Sequence, residues 1–503
     1  MKKKITGYSL PGLLLACGML TACGGGSSAV AATPAPTPTP TPTPAAPSAS
    51  GPAVTAWVTT ADKSRLLQRE TGLAFGGDAA LPTTIELDAA TRYQTMAGFG
   101  ASMTDASAYL IQNKMSATQR SALLAELFGR GTTGTNPGVG FDFMRLTIGA
   151  SDFSRSHYSY DDMPAGQTDM ALAKFSIEPA RADLLPVLKA ALAVNPGLQI
   201  MASPWSAPGW MKESDSLVKG KLKPAMYGVF SEYLMRYVEA FKAEGVPLFA
   251  LTVQNEPHFE PDDYPGMRLD PPARAALLGQ ALGPLMSARA PKLKLFDWDH
   301  NWDVPSSPLT VLADPVARPF VSGVAWHCYA GDVAVQTTVR EAYPDKEVWF
   351  TECSGGEWAP VWSSTLPWLM HNLIIGSTRN WAKGVLMWNL ALDENHGPHL
   401  GGCKECRGIV TIDSKTGEVS RNVEYYAFAH ASKFVRPGAQ RIASTAAVDG
   451  LESVAFRNAD DGSIALIVSN GSAVTRRFAV RSGMQTFAYE LPRESVASFS
   501  WTP

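Results

Sequence analysis

Two glutamates, Glu256 and Glu352, have the residue type and the setting that acid–base and nucleophilic chemistry on a sugar require. Each directly follows a short apolar run that predicts a buried strand. Cleavage of a glycosidic bond needs one carboxylic acid to protonate the leaving oxygen and one carboxylate to attack the anomeric carbon or activate water. Because the chain has 46 acidic residues, a structural or salt-bridged role is the competing interpretation of such a pair.

The segments around these glutamates predict alternating strands and helices. Eight predicted strands lie at 94–100, 143–148, 199–203, 248–254, 294–298, 323–327, 348–351 and 384–388. Segments with apolar residues at helical spacing lie between them, at 117–128, 179–193, 227–244, 272–288 and 366–381. Eight such units predict an α/β fold, a (β/α)8 TIM barrel. An open doubly wound sheet is the alternative, but no glycine-rich phosphate loop follows the first strand.

In a TIM barrel the functional side chains lie at the carboxyl ends of the strands. Acidic residues follow five of the predicted strands, at Asp105, Asp152, Glu256, Glu352 and the pair Asp393 and Glu394. The fourth and seventh strands, which lead to Glu256 and Glu352, lie across the barrel mouth from each other. A sugar between them would contact both carboxylates.

The pattern changes after a helix-like segment at 425–434. Strands alone follow, at 440–444, 453–458, 463–468, 476–480 and 485–490, with turn signals at Asp460-Asp461-Gly462 and Asn470-Gly471. They predict a β-sandwich domain at 436–503, appended to a catalytic barrel at 93–435. Two predicted strands in the segment 53–92, at 54–59 and 83–87, are expected to join the sandwich.

The N-terminal segment predicts export. Three lysines at positions 2–4 precede an apolar stretch at 13–22 that is too short to span a bilayer. Leu-Thr-Ala-Cys at 20–23 is similar to the lipobox of bacterial lipoproteins, which makes residues 1–23 a signal peptide and Cys23 the acylated residue. A box ending at Cys17, or a signal cleaved without lipidation, are the alternatives. We expect a lipid-anchored protein at the outer membrane or cell surface rather than a freely secreted one.

Residues 24–52 are rich in Pro, Thr and Ala, and predict either a spacer or a disordered tail. The net charge of −3 gives no electrostatic reason to expect nucleic acid as a partner. No internal repeats indicate an adhesive or structural surface protein, and we expect a monomer.

Six strand-end motifs resemble glycoside hydrolase family 30, the family of lysosomal glucosylceramidase and of microbial endo-β-1,6-glucanases. They are GFGASMTDA at 98–106, ASPWSAP at 202–208, NEP at 255–257, WHCY at 326–329, TEC at 351–353 and WNLAL at 388–392. The resemblance continues in the same order into the sandwich segment. It implies double displacement, with Glu256 as acid/base, Glu352 as nucleophile and their carboxyl groups about 5–5.5 Å apart.

The resemblance also implies a glucose-binding subsite and the substrate class. It assigns Asp105, Trp205, Asn255, Tyr329 and Trp388 to the subsite, with Tyr329 steadying the nucleophile. Arg145 and His327 are expected either to contact substrate or to form a buried polar network, and Tyr264 is a candidate for the rim. The substrate is expected to be a β-glucan or a glucosylated lipid, and no cofactor or metal is required.

A cysteine- and histidine-containing segment follows the eighth strand. His396, His399, Cys403 and Cys406 have the residue types of a zinc site, but an exported chain favours a Cys403–Cys406 disulfide. Whether Cys328 and Cys353 also pair is left open. The loop is more similar to the microbial β-1,6-glucanases than to the lysosomal enzyme, which argues against a lipid substrate.

Three alternatives to a β-1,6-glucanase stay open at this point. One is a glucosylceramidase or exo-acting β-glucosidase, and another is a xylanase of the same family. The third is a surface lipoprotein that binds glycans without cleaving them, which the loss of either glutamate would favour.

Overall fold

The computed structural model describes residues 51–76, 81–131 and 138–503. The predicted signal peptide, Cys23 and the proline-rich segment up to residue 50 lie outside the described residues. Within the described part of the chain, we find no helix with the length and apolar character needed to cross a membrane.

Eight parallel strands close into a barrel, as predicted. In chain order they are Gly98–Ser102, Phe143–Ile148, Gln199–Pro204, Ala250–Thr252, Lys294–Asn301, Gly323–His327, Glu347–Glu352 and Ala382–Asn389. The eighth strand pairs with the first and with the seventh, which closes the ring. The first barrel strand begins at Gly98 rather than at residue 94, because residues 94 and 95 end a strand of the other sheet.

Helices cover the barrel and bury their apolar faces against it. The α-helices are Asp105–Asn113, Ala117–Phe128, Glu178–Arg181, Leu184–Val194, Tyr227–Ala243, Pro271–Leu277, Gly283–Arg289, Ser306–Ala313, Val335–Ala342, Trp362–Leu369 and Val423–Ser432. Helix Tyr227–Ala243 is an example of such an amphipathic helix, since Phe230, Leu234 and Phe241 are buried at helical spacing. The predicted helices at 272–288 and 366–381 each contain a π-helical segment, Leu278–Leu282 and Met370–Ser377. Short 3₁₀ turns lie at Gly209–Met211, Pro224–Met226 and Arg318–Phe320.

The second domain is one ten-stranded sheet that wraps around its own apolar core. Nine strands follow the order Gln68–Ala74, Ala53–Thr59, Ser495–Trp501, Ile464–Asn470, Leu451–Arg457, Gln440–Ser444, Thr84–Thr95, Arg476–Ser482 and Gln485–Leu491, and Ala447–Val448 pairs beside Leu451–Arg457. Strands from both sides of the barrel sequence therefore build this β-sandwich. The sequence patterns missed Gln68–Ala74 and Ser495–Trp501.

Small sheets lie beside the barrel mouth. Gly355–Gly356 pairs with Cys406–Arg407, and a three-stranded sheet contains Ala391–Asp393, Val410–Ile412 and Val419–Arg421. The first of these pairs connects the loop after the seventh strand to the cysteine-containing loop after the eighth. Both loops border the candidate active site.

The interior of the barrel is filled in two layers of opposite polarity. The lower layer is apolar. Each strand contributes one residue to it, except that the first contribution comes from Ala97, just before the first strand; the others are Phe143, Met201, Ala250, Phe296, Ala325, Trp349 and Leu386. Because alternate residues of a strand share a face, the residue two positions later also points inward. That second layer contains Arg145, Ser203, Thr252, His327, Thr351 and Trp388. The polar layer lies directly beneath the barrel mouth.

The fifth strand departs from this alternation. Asp299 is three residues after Phe296, yet its carboxylate lies among the inward-facing side chains of the polar layer. A register shift between Trp298 and His300 accounts for it, with Trp298 and Asp299 at φ of 77° and 53°. The bulge turns a carboxylate into the barrel that regular pleating would point outward.

Candidate active site

A cavity of about 720 Å³ opens at the carboxyl ends of the barrel strands. Seven of the ten residues predicted to act in catalysis or substrate binding line it: Trp205, Asn255, Glu256, Tyr264, Tyr329, Glu352 and Trp388. The other three, Asp105, Arg145 and His327, lie elsewhere. The structure thus brings together residues from five strand ends that are far apart in sequence.

Asp105 is not among the residues that line this cavity, and its assignment to the subsite stays a prediction. Asp105 is the first residue of helix Asp105–Asn113, and its Oδ2 accepts hydrogen bonds from the backbone N–H and the Nε of Arg155. Its Oδ2 is therefore held by Arg155, which also does not line this cavity. The strand-end aspartate that lines the cavity is Asp152, after the second strand. Burial, and then the charge of Glu352, raise the pKa of Asp152 to about 8.

Arg145 and His327 belong to the buried network that the sequence left as one of two options. Both side chains are fully buried beneath the cavity. Arg145 donates through Nη1 to Glu352 Oε2 at 2.5 Å, and through Nη2 to Asn255 Oδ1 at 2.6 Å. Since a guanidinium only donates, the oxygen of Asn255 must face it, and the amide nitrogen remains for the cavity.

Asp299, which the sequence analysis did not single out, is the common acceptor of this network. Its Oδ2 accepts from Arg145 Nη2, Ser203 Oγ and Thr252 Oγ1, each at 2.7 Å. Its Oδ1 accepts from His327 Nε2 at 3.0 Å and from Thr351 Oγ1 at 2.7 Å. Burial opposes its charge, but Arg145 and His327 outweigh burial and hold the pKa of Asp299 well below its usual range. Asp299 is thus a stable buried anion.

His327 connects this anion to the two glutamates. Its Nε2 faces Asp299, while its Nδ1 lies 3.0 Å from Glu256 Oε1 and 3.9 Å from Glu352 Oε1. Burial acts to lower the pKa of His327, but Glu352, Asp299 and Glu256 together raise it to about 9. The ring is therefore an imidazolium at neutral pH, and it donates from both nitrogens.

Glu256 occupies a strained backbone position beside this ring. Its φ is 44°, in the left-handed region that a glutamate seldom adopts, and its N–H donates to the carbonyl of Asp299 at 3.0 Å. Burial acts to raise the pKa of Glu256, but the nearby rings of His300 and His327 hold it well below its usual range. His300 Nδ1 lies 3.5 Å from Glu256 Oε1 and is a further contact that the sequence did not reveal.

Glu352 receives hydrogen bonds on both carboxylate oxygens. Arg145 donates to Oε2, and the hydroxyl of Tyr329 donates to Oε1 at 2.9 Å. Tyr329 thus contacts the glutamate that the resemblance expected it to steady.

Two tryptophans form an aromatic wall of the cavity. The rings of Trp205 and Trp388 stack at 4.8 Å between centroids and 19° between planes. The guanidinium carbon of Arg145 lies 4.8 Å from the Trp205 centroid and 5.5 Å from that of Trp388. Flat apolar faces of this kind suit the C–H faces of a sugar ring.

Two disulfides border the mouth. Cys403 pairs with Cys406 in the loop after the eighth strand, and Cys328 pairs with Cys353 at the ends of the sixth and seventh strands. A disulfide leaves no thiolate for zinc, so the zinc interpretation of the cysteine loop loses two of its four ligands. His396 and His399 instead place their Nδ1 atoms 3.0 Å from the carbonyls of Cys406 and Gly401.

One group of three potential metal ligands occurs within the described ranges of the chain. Glu256, His300 and His327 place a donor atom each within 4.8 Å of one another. Two of these donor atoms, His327 Nδ1 and Glu256 Oε1, are already joined by a hydrogen bond at 3.0 Å. The donor set favours a hydrogen-bonded acid over a metal centre.

Comparison with known proteins covers both domains. A model described as "Glycosyl hydrolase family 30 TIM-barrel domain" matches residues 96–435, and the family 30 beta sandwich domain matches 438–499. An endo-1,6-beta-D-glucanase of Neurospora crassa is 37% identical over 411 residues, which cover 78% of this chain and 82% of the fungal one. The lysosomal acid glucosylceramidase of Mus musculus is 28% identical over 407 residues, which cover 76% of each chain.

A solved structure shows the same likeness. The endo-beta1,6-glucanase BT3312 aligns with a TM-score of 0.82 and 34% identity over 90% of this chain and 100% of that one. The matched barrel contains both glutamates and the polar layer beneath them. Because the family matches span the barrel and the sandwich in one continuous order, this chain belongs to glycosyl hydrolase family 30 and is a glycoside hydrolase.

Proposed function

We propose that the protein is an endo-β-1,6-glucanase that cleaves with retention, with Glu352 as nucleophile and Glu256 as general acid/base. The observation that carries the mechanism is the position of His327 Nδ1, 3.0 Å from one glutamate and 3.9 Å from the other. Two carboxylates that approach the same ring nitrogen are held at close range. This supports double displacement, in which the carboxyl groups lie about 5–5.5 Å apart, over the wider inverting arrangement.

The nucleophile assignment is supported by the partners of Glu352. A guanidinium and a phenol hydroxyl donate to its two oxygens, and both contacts hold the carboxylate in place. An ionised carboxylate is the form that attacks the anomeric carbon. Arg145 also holds Asn255, so one guanidinium sets the nucleophile and a sugar-binding amide relative to each other.

The acid role of Glu256 depends on the proton that it shares with His327. In the free enzyme this proton lies on the imidazole, since the pKa of Glu256 is lowered and that of His327 is raised. A bound sugar displaces water and favours neutral partners over an ion pair, which moves the proton toward the carboxylate. The proton arrives on Oε1, the oxygen on which the partners of Glu256 gather among the described residues, and rotation of the carboxyl group about its Cγ–Cδ bond then turns it toward the glycosidic oxygen.

The choice of glucan over lipid rests on the relatives and on the cysteine loop. The compared proteins that are more than a third identical are named as endo-1,6-glucanases, and the glucosylceramidase is less similar. Cys403 and Cys406 line the cavity, so the loop that sequence analysis associated with the glucanases borders the substrate. A glucosylceramidase is the second candidate, favoured by the 28% identity to the mouse enzyme.

The place of action is proposed as well. Two disulfides in the barrel support an oxidising compartment outside the cytoplasm. This agrees with the predicted export signal, and we propose anchoring through Cys23, with residues 24–52 as the spacer that lets the enzyme reach a polymer.

The substrate is tested with pustulan, a β-1,6-glucan, and with glucosylceramide, using the protein without residues 1–50. We expect gentio-oligosaccharides from pustulan, identified by chromatography and mass spectrometry, and far slower release of glucose from the lipid. Activity on the lipid alone would contradict the glucanase proposal and favour the second candidate.

The two glutamates are tested by Glu352→Gln and Glu256→Ala. We expect Glu352→Gln to show no measurable turnover, because an amide cannot form the glycosyl-enzyme. For Glu256→Ala, kcat on pustulan should fall by about 10²–10⁴-fold, while an aryl glucoside with a good leaving group still forms the intermediate. Substantial turnover by the Glu352→Gln variant would show that another group is the nucleophile.

The aspartate assignment is tested by the matched pair Asp152→Asn and Asp105→Asn. Only Asp152 lines the cavity, so only its substitution changes a group that a sugar hydroxyl can contact. We expect kcat/KM on pustulan to fall by about 10–100-fold for Asp152→Asn. Asp105→Asn serves as the control and should keep wild-type kcat/KM. A larger loss of kcat/KM for Asp105→Asn than for Asp152→Asn would place Asp105 in the subsite instead.

The shared proton gives a prediction for pH dependence. Since the raised pKa of His327 is about 9, the Glu256–His327 pair keeps its proton below that pH and loses it above. We expect kcat/KM on a glucoside with a poor leaving group to decline with a midpoint near pH 9. An activated dinitrophenyl glucoside, which needs no acid, should lack this decline, and His327→Gln should move the midpoint on the poor substrate to lower pH. An alkaline limb that is the same for both substrates and for the variant would contradict the shared proton.

A further inference from the structure

A second cavity of about 560 Å³ adjoins the active site. The two cavities share Tyr329, Ser354 and Trp358, so they meet beside Tyr329, a hydrogen-bond partner of Glu352. Tyr329 donates to Glu352 and also to Ser354 Oγ, at 3.2 Å.

Two of the largest exposed apolar side chains in the described chain line this second cavity. Trp358 is 54% exposed and stands between the two cavities, and Trp368 is 44% exposed and lines the second cavity alone. Leaving two indoles open to water loses apolar burial that the fold would otherwise gain. Such placement indicates that they contact a ligand.

The position of Trp358 is built into the backbone. A Cβ added to Gly356 would lie 2.0 Å from the Trp358 ring, so the indole lies directly against a residue that has no side chain. The strand pair Gly355–Gly356 with Cys406–Arg407 holds this segment, and Glu357 N–H donates to the carbonyl of Glu405 at 2.9 Å. The disulfide-closed loop after the eighth strand thus supports the tryptophan.

A buried ion pair holds the same segment from below. Glu424 is fully buried against Gly355, and Arg407 Nη2 donates to Glu424 Oε1 at 3.0 Å. The same Arg407 nitrogen donates to the carbonyl of Ala359 at 3.1 Å. Trp358 is therefore held between two anchored neighbours rather than on a free loop.

Trp368 lies on helix Trp362–Leu369, which is tied to the Trp358 segment. Thr365 Oγ1 donates to the carbonyl of Ala359 at 3.1 Å. This hydrogen bond fixes the distance between the helix and the loop. The hydroxyl-bearing residues Ser354, Ser364 and Thr365 lie in the same cavity lining as the two indoles. Aromatic faces edged by hydroxyls suit a pyranose ring, which has apolar C–H faces and a polar rim.

We propose that the second cavity is a glycan subsite that binds further glucosyl units of the β-1,6-glucan chain held between Glu256 and Glu352, with Trp358 and Trp368 as stacking platforms. The inference rests on the proposed function, because it takes the polymer as the substrate. It assigns a substrate-binding role to Trp368, on a helix outside the strand ends that form the reaction centre. A chain that spans both cavities gains affinity from units that do not react.

The test compares Trp368→Ala, Trp368→Phe and Trp358→Ala with the wild type on pustulan and on a dinitrophenyl β-glucoside. The short substrate occupies the reaction centre alone. We expect Trp368→Ala to lower kcat/KM on pustulan about 10-fold, mainly through KM, and to leave the short substrate unchanged. Trp368→Phe should recover part of the loss because it keeps an aromatic face. Trp358→Ala should also lose more on the polymer than on the short substrate.

Val316→Ala is the matched control, since Val316 is also 54% exposed and lines neither cavity. It should leave both activities unchanged, and circular dichroism with thermal unfolding confirms that each variant folds. Gly356→Ala gives an independent variant, because it displaces the Trp358 ring without removing it. It should reproduce the polymer-selective loss of Trp358→Ala.

The outcomes separate this subsite from the proposed function. A wild-type enzyme that fails to cleave pustulan contradicts the proposed function itself. A wild type that cleaves pustulan, with Trp368→Ala equal to it on the polymer, contradicts the subsite alone. Equal loss on polymer and short substrate would make Trp368 a structural residue and overturn the inference. A loss confined to glucosylceramide would make the cavity a lipid groove and overturn it as well.

Discussion

The carboxylate of Asp299, buried at the centre of the barrel with five hydrogen-bond donors, is the interaction on which the site depends. Arg145 and His327 face it from two other strands, and each of them contacts a glutamate at the mouth. An ion group without access to water is stable only when every charge has its partners, and removing one partner of such a group costs about 3–5 kcal/mol. The geometry of the glutamates is therefore coupled to the packing of the barrel interior.

This arrangement gives two like side chains different electrostatic surroundings. Glu352 faces the permanent charge of a guanidinium, whereas Glu256 faces a histidine whose proton can move. One carboxylate thereby meets a fixed positive charge, and the other has a proton within one hydrogen bond. The different roles proposed for the two glutamates thus follow from the cation that each one contacts.

The support of the mouth comes from outside the barrel strands. Loops after the seventh and eighth strands pair with each other, carry a disulfide, and rest on the buried Arg407–Glu424 pair. These contacts hold Trp358 between the two cavities. The reaction centre is set by the strands, and the surface that meets a longer ligand is set by the loops, as is usual when loops on a rigid barrel carry specificity.

Sequence reasoning identified the eight barrel strands, the sandwich and the two glutamates, because strand periodicity and strand-end position are local properties. It placed the first barrel strand too early and missed Gln68–Ala74, whose residues are mostly polar and half exposed. It listed Asp152 as a strand-end acid but assigned the subsite to Asp105. Both aspartates follow strands, and only the path of the chain beyond each strand decides which carboxylate faces the cavity.

The sequence by itself therefore determined the fold class, the pairing of strand-end carboxylates and the family motifs that name their roles. The tertiary structure alone decided the network beneath them. Asp299 shows why: regular alternation from Phe296 points it outward, and only the bulge at Trp298, with two left-handed residues, turns it inward toward Arg145 and His327. A bulge is stabilised by partners that lie far away in sequence, so no local pattern predicts it.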